Sequence, residues 1–283
     1  MNDMQTPSQI PSDVCVPQGA FSPRRIQALM LRHLYVLRRS WPRLLELAYW
    51  PLIQMILWGF VTKFFMGHSS WVAEAAAVLI SAVLLWDVLF RANLGVSLPF
   101  IEEMWSRNLA QLFVSPLRDA ELIAALVLMS LVRTLISVTP AALLALPLYD
   151  VWVFELGITL LAFFTNLLFF GAVIGITVAA LILRFGLGAE SLCWLGIFLL
   201  APVSAIYYPV SALPEWLQWV ALSLPSAHTF EGMRAVLFDG VFMWNHFFWA
   251  VGLNAVMLAG AALFFLYMMK RARIKGLLMQ QGE

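Results

Sequence analysis

Three ionisable residues, Asp87, Arg91 and Arg133, stand inside long apolar runs. A charge at the centre of a membrane-spanning helix costs about 2.5–3.5 kcal/mol on insertion scales. Such residues therefore turn toward protein or water, where they brace neighbouring helices or line a path for polar solute. Asp87 and Arg91 are four apart and can pair along one helix face. At a rise of about 1.5 Å per residue, Asp87 lies about 16 Å from the end of its run and Arg133 about 20 Å from the start of the next. That match in depth predicts an Asp87–Arg133 bridge between adjacent spans. A second polar group, His228, Glu231 and Arg234, follows a proline-rich stretch, and Glu231 and Arg234 have the spacing of a helical ion pair. His33, His68 and His246 are scattered along the chain, so no metal-ligand spacing is present. Phosphate-binding Gly-x-x-x-x-Gly-Lys-Ser/Thr, zinc-binding His-Glu-x-x-His and nucleophilic Gly-x-Ser-x-Gly are all missing from the sequence. The chain is therefore expected to bind no ATP, metal or other cofactor itself.

These residues must be held by elements of an unusual kind. Of 283 residues, 62% are hydrophobic, 14% aromatic and 12% charged. That composition excludes disorder and leaves too little charge to cover a soluble fold. A net charge of +1 supplies no field for nucleic acid. The expected class is an all-α polytopic membrane protein lodged in the lipid bilayer. Six stretches reach the length a span needs: 44–65, 74–98, 120–146, 151–183, 190–211 and 246–269. Pro51 predicts a kink in the first, and Gly171-x-x-x-Gly175 permits close helix approach in the fourth. Residues 1–21 read as a flexible tail without the pattern of a signal peptide. Ser22-Pro23 starts an amphipathic helix over 22–42, with Ile26, Met30, Leu34, Leu37 and Trp41 on one side and Arg32 and Arg39 opposite. Such a helix lies in the interface or docks on protein. With the N-terminus inside, 13 of the 17 Lys and Arg residues fall on inner segments, which places both termini in the cytoplasm. Residues 276–283 form an inner C-terminal tail. Cys15 and Cys193 read as free thiols.

Two connections are specialised. Between spans 2 and 3, residues 100–116 put Ile101, Met104, Trp105, Leu109, Leu112 and Phe113 on one half of a helical wheel. Glu103 and Arg107 pair on the other half. Ser115-Pro116 then restarts the chain as a span, with Asp119 and Glu121 in its first turns, where the helix dipole favours acids. An apolar face on a cytoplasmic loop must dock on protein, on the interface or on a partner. Between spans 5 and 6, residues 201–240 carry Tyr207-Tyr208-Pro209, a helix start at Leu213-Pro214-Glu215-Trp216 that stops at Pro225, and a second short helix around 227–238. Helices too short to span and broken by proline predict a re-entrant hairpin or outer cap. Tyr207, Tyr208, Trp216 and Trp219 either stack on sugars or belong to an interface belt.

The sequence resembles the permease subunits of type-2 ABC exporters, which include exporters of polysaccharides, drugs and nodulation factors. The resemblance covers residues 22 to 275. It rests on the N-terminal helix, the loop Glu102-Glu103-x-x-x-x-Asn108-Leu109-x-x-Leu112-x-Val114-Ser115-Pro116-Leu117, and the basic C-terminus. It also rests on the outer motifs Tyr208-Pro209-x-x-x-Leu213-Pro214-x-Trp216 and Leu224-Pro225-x-x-His228-x-x-Glu231-x-x-Arg234. The resemblance implies a permease domain over 43–275 in a bacterial inner membrane. It implies a second permease copy, and a separate cytosolic ATPase carrying ATP and magnesium. The loop at 100–116 would couple to that ATPase through Glu102, Glu103, Met104, Trp105, Arg107, Leu109, Leu112, Phe113 and Pro116. The outer residues Tyr207, Tyr208, Pro209, Pro214, Trp216, Pro225, His228, Glu231 and Arg234 would form an exit gate. The charges Asp87, Arg91 and Arg133 are no part of the family pattern. A secondary transporter or channel using those charges, and an intramembrane lipid- or glycan-modifying enzyme, are the alternative classes. The absence of an internal repeat weighs against the first.

Overall fold

The computed structural model describes residues 21–66, 70–106, 108–149 and 157–274. Nearly all of the first tail, the whole of the second, Arg107 and the Phe113 side chain lie outside these. The described chain is helical: α1 (Pro23–Arg39), α2 (Trp41–Met66), α3 (Ser70–Trp105), α4 (Leu109–Val114), α5 (Asp119–Tyr149), α6 (Gly157–Phe185), α7 (Leu192–Leu200), α8 (Glu215–Leu222), α9 (Pro225–Asp239) and α10 (Trp244–Ile274). Five helices, α2, α3, α5, α6 and α10, are long and apolar enough to cross a membrane. Pro51, Pro99, Pro140 and Pro147 are accommodated inside them, as apolar spans allow when neighbours satisfy the freed backbone groups.

The stretch 190–211, expected as the fifth span, is not a continuous helix. α7 has nine residues, about 14 Å. The chain then turns through 201–208, with Ala205 at φ 53°. Pro202 removes one helical donor there. Arg234 holds the turn open by donating to the carbonyls of Ala205, Ile206 (3.4 Å) and Tyr208 (2.7 Å). The segment still advances along the bundle. Asn93 of α3 donates to Cys193 O at 2.9 Å, and Tyr207 stacks on Trp58 near the far end of α2 at 5.0 Å.

α3 is the central helix, packed on α6, α5 and α2. Its closest approach is to α6, where a Cβ on Gly171 would meet Ala92 Cβ and Leu89 O at 2.5 Å. One on Gly175 would meet Asn93 O and Val96 Cβ at 2.7 Å. The small-residue pair thus sets the helix separation. Gly95 plays the same part toward α5, with Ser130 Cα 2.7 Å from its missing Cβ. Ser130 Oγ closes that seam by donating to Ala92 O at 2.9 Å. α2 and α10 flank this core, and much of their apolar surface stays exposed.

α1 packs mainly against α5. Its buried stripe is Ile26, Leu29, His33 and Leu37. Leu34 and Trp41, expected on that stripe, are 39% and 69% exposed. The docked face is therefore rotated, because carboxylates of α3 and α5 draw in Arg25 and Arg32. Ser115-Pro116 does not start α5. The N-cap position falls on Arg118, whose N–H donates to Glu121 Oε2 at 3.0 Å, the back-bonding half of a capping box. Likewise 100–116 is not one helix: 100–105 ends α3, and α4 is a separate six-residue helix.

Candidate functional site

A cleft of about 530 Å³ opens between α2, α3, α5 and α7, reaching the basic end of the bundle at Leu37, Glu102 and Trp105. Its polar lining is Arg43, Glu46, Gln54, Arg91, Glu102, Arg133 and Glu190, and its aromatic lining is Trp50, Phe90, Trp105, Trp194 and Phe198. A groove of about 470 Å³ between α6 and α10 carries only Thr165, Asn166 and Asn254 as polar lining and no charge, so the charged cleft is the candidate for handling polar solute. α3 delivers Arg91 to the cleft wall, while Asp87, one turn earlier, is fully buried behind it.

The expected Asp87–Arg133 bridge is not formed. Arg133 lies instead 3.7 Å from Glu102, which also takes Arg43 at 3.2 Å. α3 runs on to Trp105 instead of ending near 98, so Asp87 lies about 27 Å from the basic end, not about 16 Å; Arg133 meets instead a carboxylate 15 residues nearer that end, beside the cleft. Asp87 and Arg91 form no ion pair within 4 Å, and both Asp87 oxygens and Arg91 Nε and Nη2 lack hydrogen-bond partners. The guanidinium of Arg91 stands 5.6 Å from the Phe90 ring centroid. Phe90 is itself packed against Trp194 at 5.8 Å and Phe198 at 5.7 Å.

At the basic end the carboxylates expected to meet a partner are engaged internally. Glu103 is 5% exposed, with Arg32 at 2.7 Å and His33 Nε2 at 3.9 Å. Burial, Arg133 and Arg32 together push the His33 imidazole down to about 4. Glu121 of α5 accepts from Ser22 N–H (2.8 Å) and from Arg25 Nε–H (2.9 Å) and Nη2–H (2.6 Å). Asp119 takes Arg273 of α10. α1 is thus tied by ion pairs to α3 and α5. Leu109 and Leu112 of α4 belong to the hydrophobic core, whereas Trp105 is 52% exposed and Pro116 is exposed. The apolar face of this connection docks on the protein itself. The surface it leaves open is the turn after α3.

At the far end, residues 201–240 carry two short helices, α8 and α9. α8 exposes Trp216 (70%) and Trp219 (78%), as an interface belt does. α9 is instead a core element, with Phe230 and Met233 fully buried among α3, α6 and α10. Glu231 and Arg234 pair at 3.0 Å, and Glu231 also accepts from Val210 N–H at 2.6 Å. Tyr208 OH donates to Pro202 O. Pro225 opens α9 at its first position, and Gly240 ends it in the left-handed conformation, φ 67°. His228 Nε2 lies 2.9 Å from Leu222 O, and its Nδ1 lies 3.0 Å from Nδ1 of His246. With Nε2–H donating to Leu222 O, His228 Nδ1 accepts from His246. His246 was not legible as a partner because a loop separates it from α9. Among the described residues no cluster of three metal-ligating side chains occurs.

The cleft residues Arg43, Glu46, Trp50, Glu190, Trp194 and Phe198 were not singled out from sequence. Their signal was faint: two acids, Glu46 and Glu190, near the ends of apolar runs. No curated protein matches the chain. The family model described as ABC-2 type transporter matches residues 24–238, which is most of the chain and includes the cleft, α4 and the far-end hairpin. The chain therefore belongs to the ABC-2 type transporter family and is a multi-pass ABC transporter permease.

Proposed function

We propose that this chain is the membrane half of an ATP-driven exporter, in which two copies enclose a path and a separate cytosolic ATPase drives it. The observation that carries the reading is the cleft: a charged and aromatic cavity at bilayer depth, walled by one copy on α2, α3, α5 and α7. A polar lining there is stable only if it faces water or cargo. The exposed apolar side of α2, with Tyr49, Ile53, Leu57 and Phe60, supports a second copy beside the cleft. A sixth crossing is made by α7 with the turns after it, which keeps both termini on the basic, cytoplasmic side of the inner membrane. The exposed Trp105 at the α3–α4 turn is the coupling contact, and the far-end hairpin 201–240 closes the exit. ATP and magnesium reside on the partner.

Reconstitution with the cognate ATPase tests this. ATP-dependent transport should vanish without the ATPase. It should also fall strongly in Trp105→Asp while the permease still assembles. Transport that persists without ATPase, driven by an ion gradient, would instead establish a secondary transporter.

A further inference from the structure

Arg91 is a buried cation without a counter-ion in contact. It is 6% exposed, it lines the cleft, and its Nε and Nη2 have no hydrogen-bond partner. The other two cleft arginines, Arg43 and Arg133, share Glu102. Asp87 on the same helix and Glu46 on α2 are the acids that act on Arg91 electrostatically, and neither reaches ion-pair distance. Glu190 also lines the cleft, on the α7 side. A guanidinium offers five donors in a fork that fits a carboxylate or phosphate two-point. Leaving those donors empty in a low-dielectric wall is costly unless something fills them in function.

The surroundings say what that something is attached to. Phe90 stands beside the Arg91 guanidinium and packs on Trp194 and Phe198 in one aromatic cluster, and Trp50 lines the same cleft. Arg91 is 21 residues from Ser70 and 14 from Trp105, the ends of α3, or about 31 and 21 Å. It therefore lies about 5 Å from the middle of a helix that crosses the bilayer. A lipid resting in its own leaflet keeps its phosphate about 15 Å from the midplane. An oxyanion that meets Arg91 must belong to a molecule in passage. We propose that the cleft binds an anionic amphiphile, with Arg91 taking the phosphate or carboxylate and the Phe90–Trp194–Phe198 cluster and Trp50 taking the apolar or ring-bearing body. This rests on the reading of the cleft as an export path.

The test uses the full-length permease in nanodiscs with octyl phosphate as the probe, read by tryptophan fluorescence. Octyl glucoside, octyltrimethylammonium and inorganic phosphate serve as comparison probes. Octyl phosphate should bind most tightly of the four, and Arg91→Gln should weaken it about tenfold or more, the scale of a lost charge-assisted hydrogen bond. Arg91→Lys should restore part of the loss, and Lys270→Gln should change nothing. Unliganded Arg91→Gln should melt no lower than the parent, because it removes an unpaired buried charge, whereas a brace would melt lower. Equal octyl phosphate affinity in Arg91→Gln, equal binding of the ammonium, or a lowered melting temperature would each overturn the proposal. A parallel arm measures octyl phosphate stimulation of ATP hydrolysis in the complex with the ATPase. Arg91-dependent binding without stimulation would leave the anion site standing and remove the export-path reading. Stimulation that is independent of Arg91 would do the reverse.

Discussion

The most demanding test of the basic-end architecture is Glu121→Gln. The Glu121 side chain is fully buried and accepts four N–H groups, from Ser22, Arg118 and twice from Arg25, at 2.6–3.0 Å. Glutamine keeps the shape, but it turns one acceptor oxygen into an NH2 that confronts two of those donors. Hydrogen bonds to charged groups contribute about 1.5–3 kcal/mol each, and removing one partner of a buried pair costs about 3–5 kcal/mol. Arg25 keeps 23% of its side chain exposed and recovers some hydration, so the lower end applies, about 3 kcal/mol. Docking of α1 should weaken about a hundredfold. Tryptic cleavage at Arg38 and Arg39 reports undocking, since both lie in the last turn of α1, and the melting temperature reports the stability loss. Arg25→Gln alone should cost less, and the double variant should cost little more than Glu121→Gln, leaving a coupling of at least about 1 kcal/mol. Unchanged cleavage in Glu121→Gln, or additive single effects, would refute the idea that this carboxylate holds α1.

Three further outcomes follow from the same packing. His33 is held neutral in the fold, down to about 4 against the ordinary 6.5. The unfolded chain therefore binds the extra proton between those values, and stability should fall by up to about 3 kcal/mol as pH drops from 6.5 to 4; His33→Gln should flatten that slope in melting experiments. Gly171→Val should drive α3 and α6 apart, at about 1–3 kcal/mol or more, whereas Gly260→Ala, which meets no atom within 4 Å, should leave the melting temperature unchanged. Leu112→Asp buries a charge in the core and should prevent folding, so it cannot report on the ATPase; Trp105→Asp should fold and lose only ATP-driven transport.

What was legible in the sequence divides along a physical line. Helices were readable because period and span length are local properties. Hence the span at 44–65 appears within Trp41–Met66, the helix expected around 227–238 appears at Pro225–Asp239, and Glu231 and Arg234 pair within one helix. Partners across elements were not readable, because a one-dimensional argument fixes height along a helix and not direction around it. That is why α1 buries Leu29 and His33 in place of Leu34 and Trp41. Height itself failed where a span's end was misplaced: α3 runs to Trp105 and not to 98, so Arg133 was assigned to Asp87 and is found with Glu102. The break at 201–208 was visible only as Pro202. The arginine that holds the broken turn sits 26 to 29 residues away.

Glu102 and Glu103 show what that line means for function. As neighbours on α3 they point about 100° apart, and they serve different masters. Glu103 ties α3 to α1 through Arg32, while Glu102 lines the cleft and joins α2 to α5 through Arg43 and Arg133. Trp105, two residues on, is exposed at the turn and also lines the cleft. The proposed motor contact and the proposed path are therefore within one helical turn of each other. A displacement of Trp105 by an ATPase would tilt the end of α3 against two ion-pair sets that hold neighbouring faces of it. For the cleft to open toward the basic end, the shared Glu102 must release Arg43 or Arg133. A released arginine then becomes a second free guanidinium in the cleft beside Arg91. The same movement that admits an anionic cargo would raise the positive charge that receives it.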